Sequence, residues 1–94
     1  MQCTVIYPGS IHSLPETSLG SMFSLQELVV KRTNAESEEE LYRTVYRLLV
    51  EQWGGVARMR SIFDYFMLPD DVSPEQAIKK LEGENCGALL IVRH

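Results

Sequence analysis

Residues 37–68 constrain this chain more than any other stretch, because they read as two amphipathic helices broken at Gly54-Gly55. Ser37 with Glu40 three positions on forms a capping box, and Glu38, Glu39 and Glu40 suit the positive end of a helix dipole. Leu41, Val45, Leu48 and Leu49 then recur at helical spacing. A glycine pair inside a helix would cost roughly 2 kcal/mol, so the first helix should end near Trp53. A second helix should run from about Val56 to Leu68. Val56, Met59, Ile62, Phe63, Phe66 and Met67 fall on its apolar face, and Pro69 stops it.

The flanking segments supply strands and a third helix. Gln2 to Tyr7 is a β-rich run halted by Pro8-Gly9. Pro8 to Ser21 reads as a long loop, a length often associated with function or mobility. Ser24 to Thr33 is ambiguous: Ser24 and Glu27 could cap a short helix, but Val29-Val30 favour a strand. Ser73-Pro74-Glu75-Gln76 opens the third helix, with Ser73 as cap and Pro74 in the first turn. Ala77, Ile78 and Leu81 point inward, and Gly83 ends the helix. Cys86 to Val92 is nearly continuous apolar and suits a central strand covered on both faces. The expectation is one small α+β domain over residues 1–94. About three strands carry three packed helices, and the N- and C-terminal strands lie side by side at the sheet centre.

Composition narrows the function classes. The 94 residues suffice for one domain, with 45% hydrophobic and 23% charged residues, an ordinary globular balance. A net charge of −4 argues against general binding to nucleic acid or anionic membrane. No apolar run reaches the roughly 18 residues of a membrane span, and no secretory leader is visible. Cys3 and Cys86 make no disulfide framework and read as small buried thiols, so the expected location is the reducing cytoplasm.

Four groups of residues stand as candidate sites. The first is the side of helix one. Tyr42, Tyr46, Val50 and Trp53 widen its apolar arc to roughly half the circumference, which suggests a protein-partner or homo-oligomer surface. The narrow charged side holds Arg43, Arg47 and Glu51. The second is a low-ranked anion or nucleotide site at Gly54, Gly55, Arg58 and Arg60. Arg58 and Arg60 lie about 200° apart around a helix, and no phosphate-loop motif is present. The third is Ser10, His12, Ser13 and Glu16 in the long loop, a Ser/His/acid set without a nucleophile motif. The fourth is the acidic cluster Glu36, Glu38, Glu39 and Glu40, with Asp70 and Asp71, which could dock against a basic protein by imitating nucleic-acid phosphates but reads first as a charged helix start. His94 is expected to be mobile. No motif implies a metal or a cofactor.

Val72 to Val92 (VSPEQAIKKLEGENCGALLIV) resembles the helix-then-strand segment of a CBS domain, over about a fifth of the chain. That segment does not contain all of the CBS nucleotide-contact positions, and none is carried over to residues here. The sequence therefore supports a non-enzymatic, inhibitor-like interaction or regulatory module that occupies a partner surface. A small-molecule or anion-binding domain is the alternative.

Overall fold

The computed structural model describes residues 1–9, 28–65, 67–69, 71–83 and 89–94. Its elements are β1 (Gln2–Pro8), β2 (Leu28–Asn34), α1 (Glu38–Trp53), α2 (Val56–Tyr65), α3 (Pro74–Gly83) and β3 (Leu90–Arg93). The class is α+β, as the sequence leads one to expect.

The sheet order is β2-β1-β3, antiparallel throughout. β1 and β3 are neighbours as expected, but only β1 is central and β3 forms an edge. The apolar run ending at Val92 therefore does not reflect burial on both faces. Ile91 is buried, while Leu90 and Val92 are exposed. The ambiguous segment resolves as strand over its described part, with Val30 opposite Ile6 and Lys31 opposite Val5. The Ser24 and Glu27 capping pair lies outside the described residues.

Alternation along β1 divides the sheet into two faces. Cys3, Val5 and Tyr7 are almost fully buried and join Ile91 in one core with the helices. α1 contributes Leu41, Val45 and Leu49 to that core, α2 contributes Met59 and Ile62, and α3 contributes Ala77, Ile78 and Leu81. α1 packs against both other helices.

Each helix boundary has a local cause. The Ser37 hydroxyl accepts from the Glu40 N–H at 3.1 Å, so the expected cap forms. The Glu40 carboxylate reaches past the cap and accepts from the Glu36 N–H at 3.3 Å. At the other end Gly54 and Gly55 have φ of 104° and 109°, a left-handed region costly for any residue with a Cβ. The Gly55 N–H closes the turn on the Val50 carbonyl, and the Gly55 carbonyl accepts from Met59 to begin α2. The Ser73 hydroxyl caps α3 through the Gln76 N–H.

α2 ends earlier than the sequence predicts. The Leu68 N–H bonds the Phe63 carbonyl and the Met67 N–H bonds the Asp64 carbonyl, the pattern of a Schellman motif. Met67 takes φ of 61° at the position where glycine is usual. That geometry turns Met67 outward, 90% exposed, instead of onto the inner face. Val56 is also exposed, and Phe63 is only half-buried against the core. The inner face of α2 thus narrows to Met59 and Ile62, and the placement of Phe66 lies outside the described residues.

Candidate functional site

The wide arc of α1 is taken up largely within the domain. Trp53 is buried, and its indole N–H donates to the Pro8 carbonyl at 2.8 Å. The neighbouring Gln52 amide donates to the Gly9 carbonyl at 2.7 Å, so the end of α1 holds the end of β1. Tyr42 is buried and donates its hydroxyl hydrogen to Glu82 at 3.0 Å. Tyr46 is half-buried with its ring 6.3 Å from that of Phe63, and Val50 is half-buried against the core. Tyr42 and Trp53 of this arc are thus taken up inside the domain, because α1 touches α2, α3 and the end of β1, while Tyr46 and Val50 keep part of their surface exposed.

A polar clamp that the sequence reading missed closes the same region. The Arg93 guanidinium grips Glu38 through Nε and Nη2, at 2.7 and 3.0 Å. It meets Glu82 through Nη1 and Nη2, at 2.8 and 3.2 Å, and donates from Nη2 to the Tyr42 hydroxyl at 2.8 Å. The clamp ties edge strand β3 to the start of α1 and the end of α3. Its hydrogen bond from Arg93 holds the Glu38 carboxyl below its ordinary value. The hydrogen bonds that Arg93 donates to the two carboxylates, Glu82 first, raise its own value in turn. Burial, then Glu82, pushes the Tyr42 phenol up to about 12. The signal for this clamp is weak in sequence, since it lies only in one arginine at the end of an apolar run.

The acidic cluster is similarly engaged. Glu39 and Glu75 both bind Arg43, at 3.2 and 3.0 Å, and Glu38 belongs to the clamp. Glu36 and Asp71 are exposed, and Asp70 lies outside the described residues. The arrangement is that of a charged helix start rather than a patch imitating phosphates.

The two arginines after the glycine turn are separated. The Arg58 stem lies by Gly54, whereas Arg60 lines a cleft of about 170 Å³ with Tyr46, Val56, Phe63 and Ala77. Ser10, His12, Ser13, Glu16 and Cys86 lie outside the described residues. Among the described residues, no group of three His, Cys, Asp or Glu side chains is placed to hold a metal. None of their helices is long and apolar enough to cross a membrane.

His94, expected to be mobile, is anchored twice. Its N–H bonds the Gln2 carbonyl at 2.9 Å, and Nε2 lies 2.7 Å from the Thr4 hydroxyl. A hydroxyl–imidazole pair also needs donors for a developing oxyanion. Thr4 sits in the central strand, where the backbone is engaged by neighbours on both sides. The pair therefore reads as a clip on the sheet end.

The remaining feature is the sheet's second face, which none of the described helices covers, although Pro8 at one end of it is buried. Register places Val30, Ile6 and Leu90 in one row across all three strands. Leu28 opposes Pro8 on one side of that row, and Arg32, Thr4 and Val92 form the next row on the other. Val30 is 60% exposed, Leu28 and Leu90 are 55% and Val92 is 39%. Single exposed apolar residues are ordinary, but a contiguous set on a flat sheet marks a surface that excludes water when covered. The expectation of a central strand covered on both faces over the run ending at Val92 hides this signal, because it leaves no face of that strand exposed.

No protein family, characterised protein or solved structure matches this chain. The CBS-like stretch accordingly remains a local helix–strand pattern.

Proposed function

We propose that this chain is a small, non-enzymatic protein-interaction module that docks through the uncovered face of its sheet. The observation that carries this reading is the row Val30–Ile6–Leu90, with Val30 and Leu90 exposed and Ile6 half-buried between them, on the face opposite buried Cys3, Val5, Tyr7 and Ile91. A flat apolar strip with a polar end matches the anatomy of an interface, an apolar centre and a polar rim. Regulation by occupying a partner's surface follows naturally from such a module, since the strip presents shape and apolar area rather than reactive groups.

The test is a photo-crosslinking amino acid placed at Val30 in the expressing cell, with Lys80 on α3 as an exposed control. Discrete adducts are expected at Val30 and not at Lys80. No adduct at Val30, or the same adducts at both positions, would overturn the reading.

A further inference from the structure

We infer that the occupant of the open sheet face is a second copy of this chain, packed face to face. The inference rests on the docking role proposed for that face and names its partner. Three observations carry it. First, the apolar row spans the full width of the sheet, from Val30 through Ile6 to Leu90. Any two-fold axis lying in the interface and passing over Ile6, along or across the strands, sets this row on its own equivalent. The face is therefore self-complementary, as an isologous contact requires.

Second, charge permits self-pairing. The chain carries 13 acidic residues and a net charge of −4, so most of its surface would repel a second copy. Among the described residues of the open face there is no acidic side chain, and Arg32 is its only Lys or Arg. Among the described residues, Glu38, Glu39, Glu40 and Glu75 lie instead in the first turns of α1 and α3, and Glu82 in the clamp, on the helical side. Arg32 lies in the row beside the apolar one, on edge strand β2, where its stem can cover apolar surface while the guanidinium stays in water.

Third, the area sets the strength. Strands about 4.8 Å apart, with about 3.3 Å per residue, make a face of roughly 14 by 23 Å. That footprint falls short of the roughly 800 Å² per partner of a standard stable interface. The dimer is accordingly weak and concentration-dependent, with two sheets about 10 Å apart.

Sedimentation of the full chain, from about 1 to several hundred micromolar, tests this directly. A monomer–dimer equilibrium in the micromolar range is expected. Val30→Asp and Leu90→Asp should each weaken it by about 100-fold, because each places a charge within the apolar row, at one or other side of Ile6. Val30→Thr keeps the β-branched strand shape and guards against misfolding, and should weaken the dimer several-fold with an unchanged melting curve. Lys80→Asp should change nothing. A wild-type chain that stays monomeric throughout overturns the second copy. If Val30 crosslinks to a different protein in that case, the docking role of the face survives, and if it yields no adduct both fall. A dimer insensitive to Val30→Asp and Leu90→Asp overturns the assignment to this face.

Discussion

Replacing Arg93 with Met keeps the apolar stem and removes every guanidinium donor of the clamp. Hydrogen bonds to charged groups are worth about 1.5–3 kcal/mol each when well buried. Here solvent reduces that figure: the Arg93 side chain is 32% exposed, Glu38 52% and Glu82 20%. The Glu38 contact should therefore contribute no more than an ordinary surface pair, about 0–1 kcal/mol. Most of the loss comes from Glu82 and the Tyr42 hydroxyl, left beside each other without a cation. The sum is about 2 kcal/mol, a large share of the roughly 5–10 kcal/mol expected for a domain of this size. It should lower Tm by roughly 8–16 °C. Arg93→Lys should recover only part, since one ammonium cannot serve two carboxylates in the bidentate geometry. Urea unfolding with an unchanged m-value is the appropriate assay, with a double-mutant cycle over Arg93 and Glu82 isolating their coupling. Because β3 is a short edge strand, its amides should also exchange faster in Arg93→Met. A variant within about 0.3 kcal/mol of wild type, or no coupling to Glu82, would refute the clamp as a stabilising device.

Met67→Gly should stabilise the protein by about 1 kcal/mol, because the left-handed C-terminal turn of α2 penalises a Cβ and Met67 buries nothing in return; an unchanged or lower urea midpoint would contradict this. The pH dependence should have two limbs. Arg93 lowers the folded value of Glu38, and Arg43 lowers that of Glu75. Their contribution is complete above the ordinary carboxylate value near 4.5 and is lost as pH falls through the lowered folded values. Tyr42 is raised from 10 to about 12, so its contribution is complete below pH 10 and is lost as pH rises through 12. Thermal melts should show Arg93→Met with a shallower acid limb and Tyr42→Phe with a shallower alkaline one.

The parts of the fold legible in the sequence are those with local causes. Ser37, Ser73 and the glycine pair act within a few residues of themselves, and the helix starts and the break lie where those residues place them. The misplaced parts depend on partners distant in sequence. Nothing near Leu90 reveals that its strand has a neighbour on one side only, so an apolar run resembled a two-sided core strand. Nothing near Trp53 reveals that Pro8 offers its carbonyl 45 residues away. The end of α2 is a different case. Pro69 suggested a stop close by, but the turn is made by Met67, a residue with no preference for that geometry.

The same contrast explains why the candidate surface moved from helix to sheet. On α1 the apolar width is excessive for one contact, but that helix has several: Tyr42 turns toward the clamp, Trp53 toward β1, and Tyr46 toward Phe63. On the sheet, β2 and β3 each carry consecutive apolar residues, Leu28-Val29-Val30 and Leu90-Ile91-Val92, that fall on both faces. Alternation alone cannot tell which of two apolar faces receives the helices. Cys3, Val5 and Tyr7 decide it, since their side of β1 bears the helices and the three-helix layer covers one face. Once that face is filled, Val30, Ile6 and Leu90 have no partner of comparable chemistry among the described residues. A surface of this kind is disfavoured in water by the ordinary hydrophobic free energy of about 25 cal/mol per Å² of apolar area. Its persistence is therefore best accounted for by a contact that covers it.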